Sequence, residues 1–281
     1  MYLLFVLITL VISTKFLAIT RDSNKQLFIS HIHLEDNYTI HNIYNISKLG
    51  FGLSTVFDGK NIHLLTLSTD FRFYNIYNIN TSGHINDFTT FTDKLFHIQY
   101  DGNNLLAIGI NETTKNYILI RIEDNKIISK FNFKVGTIRA SSFDNWRQIY
   151  YACISDDHQV IIYGISSKNF DPVSMYGPLS QHNHYIWYLL NDESRLYAII
   201  FNIWIQRNQL VIINIDTTEI EDILTYENYV VVHAATLKNN MIYTIMSNWS
   251  GYYFVITDLY IKQYTYVKIT AKLLPLNMWV V

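Results

Sequence analysis

The chain's 281 residues carry a formal charge of −2 and no basic run, which excludes the electrostatic footprint of a nucleic-acid binder. Hydrophobic types make up 49% and aromatics 15%, with 22 Tyr and 16 Phe, enough apolar surface for a substantial core. The single cysteine, Cys153, excludes an internal disulfide, so an extracellular form must rest on core packing.

The first element, Tyr2 to Ile12, is nearly all apolar. It has the length of a secretory signal core and falls short of the roughly 20 residues that span a bilayer. Val11-Ile12-Ser13 offers small residues where a signal peptidase reads, and Ala18 is a poorer second site behind Phe16. Residues 1–18 are therefore read as a signal cleaved after 13 to 18, leaving 19–281 as one domain without a membrane span. An uncleaved anchor or a buried first strand is the alternative, since no Lys or Arg precedes the apolar run. Five Asn-x-Ser/Thr acceptors follow, at Asn37, Asn45, Asn80, Asn111 and Asn248. All fall in predicted loops or at strand ends, where a glycan can be reached.

Lys15–Thr20, Leu27–Leu34 and Thr39–Ile46 read as the innermost, second and third strands of a first unit with no clear fourth. The most complete unit runs from Leu95 to Phe133: four short strands of period two, with Asp101-Gly102 and Asp124-Asn125 at reversals that need positive φ or side-chain capping. Aligning the hydrophobic residue after each polar turn gives Ile62, Leu105, Ile149, Leu196 and Ile242, at steps of 43, 44, 47 and 46. A weaker copy, Asp22 to Gln26 before Leu27, lies only 35 residues ahead of Ile62. Four strands repeated every 40 to 50 residues predict an all-β propeller, and six blades fit the length better than seven. The three prolines, Pro172, Pro178 and Pro275, fall in turns or the tail. That tail, Asn277-Met278-Trp279-Val280-Val281, reads as a further inner strand inserted beside the first unit to close the ring.

The residues Tyr100-Asp101-Gly102, Ile149-Tyr150, Leu196-Tyr197, Ile242-Tyr243, Ile215-Asp216 and Ile122-Glu123-Asp124 resemble the YVTN-like and other six-bladed propeller repeats. The resemblance implies a binding platform or, in fewer cases, an enzyme with a metal or carboxylates at the channel mouth.

Propeller topology gathers the loops leading into each inner strand, and those joining second to third strands, on one face. On it the sequence nominates His97, Arg139, His184, Tyr185, Trp187, Trp204, Arg207, Tyr229 and His233. Aromatics mixed with Arg and His suit protein or glycan recognition, although many Tyr and Trp residues of a propeller simply pack between blades. His31-x-His33 and His182-x-His184 have a spacing compatible with Zn²⁺, but neither pair has a local third ligand, so no metal or cofactor is expected. Asp58, Asp101, Asp144 and Asp192 read as turn residues, and Cys153 as a buried thiol. The expectation is a secreted, N-glycosylated monomer that recognises a protein or glycan partner. The alternative is an extracellular propeller hydrolase or lactonase with a metal at the channel mouth.

Overall fold

The computed structural model describes residues 15–281 apart from 35–38, 112, 115, 124–125, 134–135, 157–158, 177–183, 193–194, 215–216, 218, 228, 230 and 271–273. Residues 123, 126–133, 156, 159, 176 and 184 are described by backbone alone. Among the described residues, twenty-four strands build six antiparallel four-stranded sheets, with one short 3-10 turn at Ser47–Leu49. β1 (Lys15–Arg21), β2 (Leu27–His33) and β3 (Thr39–Asn45) belong to blade 1. Blade 2 is β4 (Phe51–Phe57), β5 (Asn61–Leu67), β6 (Tyr74–Asn80) and β7 (Ile85–Phe91). Blade 3 is β8 (Leu95–Tyr100), β9 (Leu105–Ile110), β10 (Tyr117–Glu123) and β11 (Lys126–Phe133). Blade 4 is β12 (Thr137–Asp144), β13 (Ile149–Asp156), β14 (Gln159–Ser166) and β15 (Pro172–Tyr176). Blade 5 is β16 (His184–Asn191), β17 (Leu196–Asn202), β18 (Arg207–Ile213) and β19 (Ile220–Tyr226). Blade 6 is β20 (Val231–Lys238), β21 (Met241–Asn248), β22 (Gly251–Asp258) and β23 (Gln263–Ile269), and β24 (Leu274–Val280) ends the chain. Among the described residues no helix is long and apolar enough to cross a membrane.

Blade 1 has the order β24-β1-β2-β3, so the C-terminal strand is its innermost member and pairs with β1 from Phe16↔Val280 to Arg21↔Leu274. The expected closure is therefore present, and it corrects the reading of the first unit. Lys15–Thr20 lies in the second strand, not the innermost, and the hairpin at Asp22 to Gln26 joins second to third strands. That one-hairpin offset explains the short step of 35. Measured on second strands, which begin at Lys15, Asn61, Leu105, Ile149, Leu196 and Met241, the period is 46, 44, 44, 47 and 45. Pro275 sits within β24, in the tail as expected, whereas Pro172 opens β15 rather than lying in a turn. An innermost strand has a free edge, where a missing backbone donor leaves the ladder intact.

Each blade buries its two faces against its neighbours, and the described core divides into six clusters, one at every seam. The closing seam between blades 6 and 1 packs Phe16, Ala18 and Met278 against Tyr243, Ile245 and Phe254. Phe16 meets both aromatic rings edge-on, at 5.0 and 5.2 Å.

The repeated aspartates act as turn residues between first and second strands. Asp58 Oδ1 accepts the backbone N–H of Lys60 and Asn61, Asp101 those of Asn103 and Asn104, and Asp144 those of Trp146 and Arg147. Asp192 accepts that of Arg195. Blade 6 solves the same reversal differently, with Asn239 and Asn240 at φ 52° and 59°. Such positive φ at both central positions gives the hairpin turn that matches strand twist. Because Asp144 is buried, Asp144→Ala is expected to cost about 2 kcal/mol, whereas Asp144→Asn keeps the accepting oxygen and costs less. Urea midpoints distinguish them, and equal losses for the two variants would remove the capping role.

Candidate functional site

All six inner strands carry a register shift near the start. The unpaired residue is Leu276 in β24, Leu53 in β4, Arg139 in β12, Trp187 in β16 and His233 in β20, and in β8 the shift spans His97 and Ile98. A bulge inserts one residue opposite none and re-aims its side chain. Repeated around the ring, it sets six side chains at one level of what we call the upper face. Four are residues nominated from sequence: His97, Arg139, Trp187 and His233. The bulge also frees backbone groups from the ladder, and tyrosines of adjacent blades take two of them. Tyr150 donates to the carbonyl of His97 at 2.6 Å, and Tyr188 to that of His233 at 2.7 Å.

Three of the four bulge side chains lie back over their own sheets. Arg139 Nε donates to Ser155 Oγ at 3.0 Å, Trp187 Nε1 to Asn208 Oδ1 at 2.9 Å, and His233 Nε2 lies 2.8 Å from Ser247 Oγ. Asn208 in turn donates to the carbonyl of Tyr229 at 3.0 Å, which fixes the amide that receives Trp187. Tyr185 links blade 4 to blade 5: the Arg139 guanidinium lies 4.7 Å from its ring centroid, and Trp187 meets it edge-on at 4.4 Å. The result is one cation–aromatic strip, Arg139–Tyr185–Trp187.

The turn from β17 to β18 stands beside this strip, because Tyr185 pairs with Phe201 and His184 with Asn202. It presents Ile203, Trp204 and Ile205, with Trp204 79% exposed and its backbone N–H held by Asn202 Oδ1. Arg207 follows in a loose, exposed pair with Glu227 at 3.8 Å. In blade 6 the corresponding turn carries Trp249, 99% exposed, and Tyr252 lies 5.3 Å from the His233 ring.

Tyr229 does not belong to this surface. It is 5% exposed and packs against Tyr253, Tyr264 and Tyr266, a core position that its place in a loop sequence hides. The side chain of His184 lies outside the described residues, as does His182. Burial pushes His97 down to about 4, and it also lowers His233, where Arg21 adds to the effect. Both imidazoles are thus neutral at physiological pH.

The pairing of β2 with β3 sets His41 opposite His31, and the ring of His33 lies 6.2 Å from His31 and 5.6 Å from His41. Burial lowers the pKa of His31 first, and His33, Lys15 and His41 add to it. Even so, no group of three His, Cys, Asp or Glu among the described residues has the geometry to hold a metal. Cys153 is buried, and burial pushes its thiol up to about 12, which makes it inert.

Four of the sequon asparagines stand at strand ends or just beyond. Asn45, Asn80, Asn111 and Asn248 each accept through Oδ1 the backbone N–H of Ser47, Ser82, Thr113 and Ser250, the hydroxyl residue of the same sequon. Turn chemistry thus accounts for these residues in the folded chain. Asn37 lies outside the described residues.

No family profile matches the chain, and no curated protein is similar to it in sequence. Its fold is similar to a chain of the nidogen/laminin complex, with TM-score 0.64 and 13% identity over 94% of this chain and 97% of that one. It is also similar to TolB from Acinetobacter baumannii, with TM-score 0.66 and 10% identity over 95% of this chain and 67% of that one. A candidate 6-phosphogluconolactonase from Bacteroides uniformis matches with TM-score 0.57 and 9% identity over 95% and 85%. At these identities the likeness establishes one thing, that the chain folds as a six-bladed β-propeller.

Proposed function

We propose that the protein is a secreted, N-glycosylated recognition module that binds a macromolecular partner on the upper face of blades 4 to 6. The observation that carries this reading is the Arg139–Tyr185–Trp187 strip bordered by two protruding tryptophans, Trp204 and Trp249. Exposed aromatics beside an arginine combine contact area with directional hydrogen bonds, the composition of binding hot spots. One structure of similar fold is a nidogen/laminin complex, which supports a partner-binding use of such a disc. The lactonase alternative finds less support. The only carboxylate on the described inner strands is Asp144, and its Oδ1 is committed to a turn.

Secretion carries its own consequence. Phe16, Leu17 and Ala18 are fully buried in β1, so a cut after Ser13 leaves that strand whole while one after Ala18 destroys it. The secreted protein is thus expected to begin at Thr14, with glycans on acceptors such as Asn45 and Asn111. Tagged protein made in a eukaryotic secretory line tests the whole reading. Intact mass reports the amino terminus and the glycans. Capture of a partner from extracellular fluid is expected to survive Trp146→Ala, which alters a 74% exposed residue on the opposite face, and to fail with Trp204→Ala or Tyr185→Ala. Equal capture by all three variants, or retention of the protein inside the cell, would overturn it.

A further inference from the structure

Among the described residues Arg139 has no carboxylate partner. Its Nε is engaged by Ser155 and its flat face by Tyr185, which leaves the two terminal nitrogens without a hydrogen bond among the described residues. The ion pairs of the described chain lie elsewhere, at His63–Asp58, Arg147–Asp144, Arg207–Glu227 and Lys262–Glu221. A partly buried arginine is ordinarily paired, because desolvating its charge without an anion is costly. Here the guanidinium is oriented by three features at once: the bulge, the serine and the tyrosine ring. Its open edge is the planar fork that receives a carboxylate through two parallel hydrogen bonds. The flanking bulges carry His97, which is neutral, and Trp187, so neither supplies a competing charge.

Resting on the recognition reading above, we infer that Arg139 is the anchor for a carboxylate of the partner, carried on an acidic protein segment with a large apolar residue beside it. The apolar neighbour is what the adjoining surface requires. Ile203, Trp204 and Ile205 are exposed together in one turn next to Tyr185. Branched aliphatic side chains match a protein segment better than a hydroxyl-rich sugar, and Tyr185 and Trp187 supply the aromatic wall.

Calorimetric titration of the full chain with acetyl-Glu-Leu-Glu-Phe-amide and its neutral twin, acetyl-Gln-Leu-Gln-Phe-amide, tests the assignment. The acidic peptide is expected to bind at least about tenfold more tightly than the twin, and the preference to shrink as salt rises from about 0.05 to 0.5 M. Arg139→Gln should abolish the preference. Arg139→Lys, which keeps the charge and loses the fork, should retain only part of it and serves if the first variant does not fold. Equal binding of the twins, no binding by either, or a preference undiminished in Arg139→Gln would overturn the inference. Binding of 3′-sialyllactose in place of the peptide would transfer the site to glycans and refute the partner class. Asp157 follows Ser155 closely in sequence and lies outside the described residues. If Asp157→Asn strengthens peptide binding about tenfold or more, the chain's own carboxylate fills the fork and the inference fails. Partner capture that is still lost in Trp204→Ala would leave the recognition reading standing through any of these failures.

Discussion

Removal of Met278 to Val281 is expected to lower the melting temperature by about 10 °C or more. These residues are the second half of β24, the innermost strand of blade 1, and Met278 is completely buried among Phe16, Tyr243 and Phe254. Replacing a buried Met by Ala alone costs about 2–5 kcal/mol. The deletion adds the loss of the ladder from Phe16↔Val280 to Ala18↔Met278, and it uncovers Phe16 and Leu17 along an edge that nothing else seals. A domain of this size shifts by about 2–4 °C per kcal/mol, which sets the scale. Differential scanning calorimetry of the truncated and intact chains measures it. Met278→Ala should fall between them, and a truncated chain that melts with the intact one would show that the ring holds without its closing strand.

Acidification is the second large effect. The native state holds His97 neutral down to about 4, whereas the unfolded chain takes up a proton near the ordinary 6.5. The unfolded state therefore binds more protons between those values, so stability is complete above about pH 6.5 and declines as the pH falls towards 4. Full expression of the shift amounts to at most about 3 kcal/mol. His31 and His233 are shifted the same way, burial being the leading cause for each, and so add to the decline. The discriminating variant is His97→Asn. This position has φ 42°, a conformation that Asn tolerates better than most residues, and Asn does not titrate. Urea unfolding at about pH 7, 5.5 and 4 should show a shallower loss in the variant than in the parent chain. Parallel slopes would clear His97 of the role.

Much of the architecture was legible because a strand's alternation and an Asx turn's aspartate are both local. Ile118, Ile120 and Ile122 announce a strand wherever they occur, and Asp101 Oδ1 needs only the two N–H groups that follow it. Phase is not local, and it depends on pairings far apart in the chain. The Asp22 to Gln26 hairpin has the same residue types as an inner turn, and only the pairing of β24 with β1, more than 250 residues apart, shows that it lies one hairpin further out. The bulges were hidden for a related reason. His97, Arg139, Trp187 and His233 were nominated for their chemistry, but hydrogen-bond register leaves no composition signal to say that they share one structural position. Tyr229 was misplaced because a tyrosine in a loop sequence looks exposed until Tyr253, Tyr264 and Tyr266 of the neighbouring strands are brought around it.

The placement of β24 also fixes an order of events during biosynthesis. Blade 1 joins β1 to β24, more than 250 residues further on, so its sheet stays incomplete until the ribosome has passed β24. At ordinary elongation rates β1 waits from roughly a quarter of a minute to a minute, its hydrogen-bonding edge and the side chain of Phe16 unshielded. Premature termination anywhere upstream of β24 yields a product that leaves this edge of β1 unpaired.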